Sequence, residues 1–106
     1  MGKYLLTASY TSEGAKGLMK EGGTKRRQAA EQAIKSAGGK LEAFYFAFGE
    51  NDAYVLVDAP DHASVAAASV AINATGAVHT KTIVLLTPED VDQATKKAVN
   101  YRAPGH

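Results

Sequence analysis

Apolar side chains occupy both faces of a hairpin that the sequence predicts between Lys40 and Pro60. Side chains alternate across a strand, so one face of the first strand carries Phe44, Phe46 and Phe48, and the other carries Leu41, Ala43, Tyr45 and Ala47. The second strand has Val55 and Val57 on one side and Tyr54 and Leu56 on the other. Because a half-solvated antiparallel hairpin alternates apolar and polar residues, this pattern predicts that both faces are covered.

The remaining elements follow from periodicity and from helix start and stop signals. In chain order, the pattern first predicts a strand over 4–10, a helix over 13–20 and a second helix from 24 to the stop at 38–39. The hairpin follows, with its turn at 49–52, and after it come a helix from 61 to 75, a strand over 78–86 and a last helix from 87. The predicted N-caps are Thr11 or Ser12, Thr24, Asp61 and Thr87. Ser, Thr, Asp and Asn are preferred there because their side-chain oxygens accept from free backbone N–H groups.

Gly14 and Gly17 lie three residues apart in the first predicted helix. Each costs about 1 kcal/mol relative to alanine in a helix interior. Their shared face therefore predicts close packing against a backbone.

This order of elements predicts an α+β fold, the ferredoxin-like βαββαβ arrangement with a four-stranded antiparallel sheet, helices on one face and an appended C-terminal helix. Residues 1–99 form the predicted domain and residues 100–106 a flexible tail. The second sheet face would be bare and apolar, which favours a sheet-to-sheet homodimer, alone or in a larger ring of dimers. The alternative is that the C-terminal helix folds back over this face.

Composition narrows the possible partners and the compartment. The chain of 106 residues has 12 basic and 11 acidic residues and a formal net charge of +1, so no long-range field favours nucleic acid or an anionic membrane as a partner. It has no cysteine, which excludes disulfides and thiolate chemistry and fits a reducing compartment. Residues 3–10 lack the apolar run of a secretion signal. We therefore expect a cytoplasmic protein.

One segment combines several features of an anion site. Two glycines, Gly22 and Gly23, precede a predicted helix start that carries Thr24, Lys25, Arg26 and Arg27. Helix N-termini present free N–H groups and partial positive charge. Three further cations are unfavourable there unless a negatively charged partner lies nearby. That partner is either a small anionic ligand bound by residues 23–27 or a protein carboxylate such as Glu21, Glu31 or an acid of a partner subunit.

Other candidates for chemistry are isolated. Tyr45, Asp58 and His79 are candidate pocket residues. Asp58, on the same strand face as Tyr54, would act as an acid or base or would cap or be solvated at its strand end, and His79 would border a cleft or face solvent at the end of the sheet. Tyrosines 4, 10, 45 and 54 would either line an aromatic pocket or pack at edges and interfaces. The three histidines show no metal-ligand spacing and no nucleophile elbow occurs. The sequence thus predicts no metal, no cofactor and no catalytic constellation.

Three stretches of the chain, 10–17, 21–27 and 38–45, resemble the small bacterial GYD-domain proteins. The resemblance spans about residues 3–90 and implies a ferredoxin-like, dimeric α+β-barrel type of architecture without implying a particular activity. The turn at 49–52 keeps the glycine and the aspartate of the family pattern but carries Asn51 where a tyrosine is usual.

Two functional hypotheses follow. The first is a non-enzymatic, homo-oligomeric binding or assembly module, with a small anionic ligand near the helix start at 22–27. The second is a dimeric α+β-barrel enzyme, a cofactor-free oxygenase or isomerase that acts on a small organic acid between sheet and helices. The residues to mutate for that enzyme are Arg26, Tyr45, Asp58 and His79.

Overall fold

The computed structural model describes residues 2–106, and Met1, the first residue of the predicted domain, lies outside the described residues. The elements are β1 (Gly2–Tyr10), α1 (Ser12–Glu21), α2 (Gly23–Ser36), β2 (Lys40–Phe46), β3 (Ala53–Ala59), α3 (His62–Asn73), β4 (Val78–Leu85) and α4 (Pro88–Thr95). The strands form one open antiparallel sheet in the order β2-β3-β1-β4. This confirms the predicted ferredoxin-like α+β fold.

The core lies between one face of the sheet and helices α2 and α3. The two central strands supply its floor, because alternate residues of β1 and β3 point to the same side and are buried: Tyr4, Leu6, Ala8, Ala53, Val55, Val57 and Ala59. Ile34 of α2 and Val65 of α3 are buried against them. Burial of such aliphatic side chains stabilises the fold by roughly 1.5–3 kcal/mol each.

A β-bulge in β2 changes which side chains share a face. Leu41 pairs with Val57 and Ala43 pairs with the next residue of β3, Leu56, so Glu42 is the extra residue. At a bulge, two residues of one strand lie opposite one residue of its partner, so the alternation of side chains between the two sheet faces shifts by one residue. Leu41 is therefore buried in the core, on the same face as Phe44, and the predicted division that placed Leu41 with Tyr45 is wrong.

The hairpin phenylalanines also differ from one another in exposure. Phe44 packs against the core, Phe46 is 38% exposed, and Phe48 is fully exposed beyond the end of β2. The predicted apolar face formed by all three is thus wrong at Phe48, since the strand ends two residues before it.

Helix starts follow the predicted caps in three cases out of four. Thr11 accepts from the Gly14 N–H at 3.2 Å, Asp61 accepts from the Ser64 N–H at 2.8 Å, and Thr87 forms a capping box with Asp90. Thr24 does not cap α2, which corrects the prediction. Gly22, at a φ of 84°, separates α1 from α2 directly and leaves Thr24 already inside the helix; glycine adopts that left-handed angle without steric cost.

Helix α3 ends at Asn73, two residues before the predicted end at Thr75. The Asn73 amide donates to the Ser69 carbonyl at 2.7 Å and to Thr80 Oγ1 at 2.9 Å, and its oxygen accepts from the Thr80 N–H at 2.8 Å. These bonds tie the end of α3 to the edge strand β4.

Close packing at α1 involves Gly14 but not Gly17. A Cβ atom on Gly14 would lie 2.0 Å from the Ala77 carbonyl oxygen, whereas one on Gly17 would meet nothing within 4 Å. The predicted backbone contact is therefore confirmed for Gly14 and wrong for Gly17.

Helix α4 does not return to the sheet. Every residue from Leu86 to His106 is exposed, and the molecule extends over 56 × 33 × 22 Å with a radius of gyration of 16.9 Å, above the roughly 13 Å of a compact 100-residue domain. The sheet face opposite the helices is therefore uncovered by this chain, and the alternative in which α4 folds over it is wrong. We call it the open face; strand register assigns to it Lys3, Leu5, Thr7, Ser9, Lys40, Ala43, Tyr45, Tyr54, Leu56, Asp58, His79, Lys81, Ile83 and Leu85.

Candidate functional site

A cavity of ≈ 90 Å³ lies between the sheet and the helices. We call it the sheet–helix cavity. Its walls are apolar except at three residues, Tyr10, Arg26 and Thr80. The other lining residues are Leu6, Ala8, Ala29, Ala30, Ile34, Phe44, Ala53, Val55, Ile72 and Val78.

Small side chains create this space. Ala8 and Ala53 are neighbours on the paired strands β1 and β3, and Ala30 of α2 lines the same cavity. The methyl groups at these positions are too small to fill the space between the sheet and α2. A packed interior normally has few voids larger than a water molecule, so this cavity is a departure from ordinary packing. Ala30 and Ile34, about one helical turn apart on α2, both pack on the side of that helix that faces the sheet.

Arg26 reaches the cavity from the first turns of α2. Its Nη1 donates to Glu21 Oε1 at 3.0 Å, and the Arg26 side chain is 30% exposed. Arg26 is the one charged residue in the cavity lining. The cavity thus joins an apolar interior to a single, partly buried guanidinium, which is a group suited to bidentate recognition of a carboxylate or phosphate.

Tyr10 ends β1 beside Arg26. Its backbone N–H donates to Asp52 Oδ2 at 2.8 Å, which holds the strand end against the β2–β3 turn. Burial raises the pKa of the Tyr10 hydroxyl, and the positive charge of Arg26 and a hydrogen bond from it oppose that shift. The phenol is therefore protonated at neutral pH and is a hydrogen-bond donor next to the guanidinium.

A shallower groove of ≈ 380 Å³ lies on the far side of Tyr10. Gly23 and Phe46 line it, and a Cβ atom on Gly23 would approach the Phe46 ring to 2.9 Å. Tyr10 lines both spaces, so it stands between the groove and the cavity.

The five residues predicted to bind an anion have different surroundings. Gly23 lines the groove, Arg26 lines the cavity, and Thr24 and Lys25 are exposed. Arg27 lies 3.9 Å from Glu31. Both arginines thus have the protein carboxylates that the sequence offered as the alternative to a ligand, and binding of an anion by residues 23–27 stays a prediction.

The predicted pocket residues Tyr45, Asp58 and His79 lie on the open face, away from Arg26. Asp58 pairs with Lys3 and His79 pairs with Ser9, and these two β1 residues are six positions apart, or roughly 20 Å along a strand. Asp58 accepts from the Lys3 ammonium at 3.2 Å, and Tyr45 is 71% exposed. The structure does not bring the three together.

Sequence reasoning missed Thr80 and Ile72 as cavity residues, and it gave Tyr10 only a general aromatic role. Thr80 follows Val78 by two positions and therefore shares its strand face, a signal that was present in the sequence. Of the other tyrosines, Tyr4 is buried and its hydroxyl lies 2.7 Å from His62 Nδ1. That pair anchors the first turn of α3 to the sheet.

Within residues 2–106, no three His, Asp or Glu side chains cluster as ligands for a metal ion. No helix of the described chain combines the length and apolarity that a bilayer crossing needs.

The sheet, its helices and the cavity between them define a ferredoxin-like α+β protein with space for a small molecule. The sequence profile of the GYD domain matches residues 4–95, most of the chain, and the protein therefore belongs to the GYD domain family. This confirms the resemblance found in the sequence. A comparison with curated proteins finds no match.

Proposed function

We propose that this protein is a homo-oligomeric module that binds a small organic anion at the sheet–helix cavity. The observation that carries the proposal is the position of Arg26, a partly buried guanidinium in an otherwise uncharged cavity lining. The binding region is the helix start near residues 22–27 that the sequence predicts, with Arg26 as the contact to the anion.

The surroundings of Arg26 favour ligand binding over a purely structural ion pair. Charge-assisted hydrogen bonds strengthen where water is excluded, and the cavity wall next to Arg26 is carbon on most sides. Glu21, its present partner, is 43% exposed and can turn into water at little cost, because surface ion pairs contribute only about 0–1 kcal/mol. A ligand carboxylate could therefore replace Glu21 at the guanidinium.

The open face supports the homo-oligomeric part of the proposal. It exposes apolar side chains, including Tyr45 at 71%, Ile83 at 47% and Tyr54 at 36%, and α4 leaves them uncovered. Contiguous exposed apolar surface of this kind is typical of an interface. The same face on a second copy would cover it isologously, as a homodimer or within a ring of dimers. Absence of nucleic acid and membrane partners and a cytoplasmic location stay predictions from composition.

Thermal unfolding with small anions tests the binding function. Acetate, butyrate and inorganic phosphate are titrated against the parent protein and against Arg26→Gln, with Arg27→Gln as the matched control on the same helix. We expect at least one anion to raise the melting temperature of the parent and of Arg27→Gln but not of Arg26→Gln. The absence of any shift in the parent, confirmed by calorimetric titration, would overturn the proposal.

The alternative, a dimeric α+β-barrel enzyme acting on a small organic acid, has weaker support. The four residues nominated for it are divided between two sides of the sheet, with Arg26 at the cavity and Tyr45, Asp58 and His79 on the open face. A shared proton-transfer site requires its groups within hydrogen-bond reach of one substrate, and this arrangement does not provide that.

A further inference from the structure

We infer that the ligand of the sheet–helix cavity is a monocarboxylic acid with a short aliphatic tail, bound with its carboxylate at Arg26 and Tyr10 and its tail inside the cavity. This inference rests on the proposed function and specifies its ligand class. It also gives Glu21 a role, because the Glu21 carboxylate is paired with the Arg26 guanidinium until the ligand carboxylate displaces it.

The size of the cavity limits the tail. An apolar cavity of about 150 Å³ accommodates benzene, and the sheet–helix cavity is smaller, at ≈ 90 Å³. Scaled by volume from the six carbon atoms of benzene, it holds about three to four carbon atoms. An aliphatic chain of that length fits, whereas an aromatic ring does not.

The walls of the cavity require the tail to be apolar. Thr80 is the one polar lining residue besides Tyr10 and Arg26, and its hydroxyl already accepts from the Asn73 amide at 2.9 Å. The Thr80 hydroxyl keeps one proton to donate, so a second carboxylate, or several hydroxyl groups, would lose hydration inside the cavity for a single partner, and unpaired burial of such groups is strongly unfavourable. Dicarboxylates and sugar acids are therefore disfavoured.

The charge at the cavity favours a single carboxylate. Arg26 contributes one positive charge to the lining, Arg27 lies near Glu31, and Lys25 is exposed. A monoanion that replaces Glu21 preserves the local balance of charge. An inorganic phosphate dianion would bring an excess negative charge, and it would leave the apolar volume empty.

The affinities of carboxylic acids of increasing chain length test this inference directly. Isothermal titration with acetate, propionate, butyrate, valerate, succinate, benzoate and phosphate should give an affinity that rises about fourfold for each methylene up to a tail of about three carbons. Benzoate and succinate should bind at least about tenfold more weakly than butyrate. If anions bind with no dependence on chain length, or if phosphate binds best, the inferred ligand class is wrong while the anion-binding function stands. If no anion binds, the ligand class and the anion-binding function are both wrong.

A cavity-filling variant locates the tail. Ala30→Leu places an isobutyl group where the cavity lies, and Ala33→Leu adds the same group on α2 at a position that does not line it. We expect Ala30→Leu to abolish the gain from acetate to butyrate and Ala33→Leu to keep it. If an Ala30→Leu variant that melts cooperatively keeps the full rise in affinity from acetate to butyrate, the inference is wrong. If that variant does not fold, the chain-length series on the parent protein decides alone.

Discussion

Arg26 Nη1 donates a 3.0 Å hydrogen bond to Glu21 Oε1, which links the last residue of α1 to the first turns of α2 across Gly22. The pair neutralises the cation that lies at the cavity. It also means that an external anion competes with a carboxylate of the protein, so the strength of this one contact sets part of the affinity for ligand.

Removal of the Glu21 charge should therefore strengthen binding. In Glu21→Gln the guanidinium loses its competing carboxylate, and we expect affinity for butyrate to rise about two- to fivefold, the range that corresponds to a partly exposed ion pair of about 0.4–1 kcal/mol. Glu31→Gln, which removes the carboxylate near Arg27, is the control and should leave affinity unchanged. Calorimetric titration compares the three proteins, and equal or weaker binding by Glu21→Gln would contradict the competition.

A charge introduced into the open face should weaken self-association. Tyr45 is 71% exposed on the edge strand β2 of this face, opposite Tyr54, and aromatic anchors at an interface commonly contribute about 2 kcal/mol or more. Tyr45→Glu is expected to raise the dimer dissociation constant by at least about tenfold. Val70→Glu, at a similarly exposed position on α3, should leave it unaltered. Sedimentation velocity over a concentration series measures both, and a monomeric parent would refute the interface.

The two glycines of α1 should respond in opposite directions to substitution by alanine. Gly14→Ala forces a methyl group against the Ala77 carbonyl, which lies 2.0 Å from the Cβ position, and overpacking of this kind typically costs about 1–3 kcal/mol. Gly17→Ala meets no neighbour and should add up to about 1 kcal/mol through helix propensity. Urea unfolding of both variants gives the comparison. A neutral Gly14→Ala would show that α1 can move away from β4.

Acid should weaken the start of α3. The Asp61 side chain accepts from the backbone and the hydroxyl of Ser64, and these hydrogen bonds lower the pKa of Asp61 below 3.8. Since the folded-state pKa is the lower one, the contribution of the cap is complete above pH 3.8 and is lost as the pH falls through the folded value. Asp61→Asn keeps a capping oxygen without this titration. Its melting temperature should therefore fall less than that of the parent between pH 5 and pH 3, and parallel pH profiles would rule out the cap as a source of acid sensitivity.

Much of the fold was predictable because its signals are local. The caps at Thr11, Asp61 and Thr87 need only a short polar side chain next to an apolar periodic segment, and the order of elements then restricts the topology. The bulge at Glu42 was not predictable in this way. It depends on how β2 is aligned with β3, which alternation within one strand does not specify.

The candidate site was predictable only in part. The cluster of cations in the first turns of α2 predicts a site that includes Arg26, but nothing in the sequence separates Arg26 from Lys25 and Arg27. The distinction arises because helical geometry directs Arg26 toward the cavity formed by Ala8, Ala53 and Ala30. These alanines come from three distant segments, and the space they leave exists only after the sheet and helices have packed.

Nuclear Overhauser spectroscopy on ¹³C-methyl-labelled protein with unlabelled butyrate tests whether a small organic anion occupies the sheet–helix cavity at Arg26. We expect contacts from the butyrate methyl protons to the methyl groups of Val55 and Ile72, which line the cavity, and their loss in Arg26→Gln. Contacts confined to surface methyl groups such as that of Thr24, or no contacts in the presence of saturating butyrate, would contradict it.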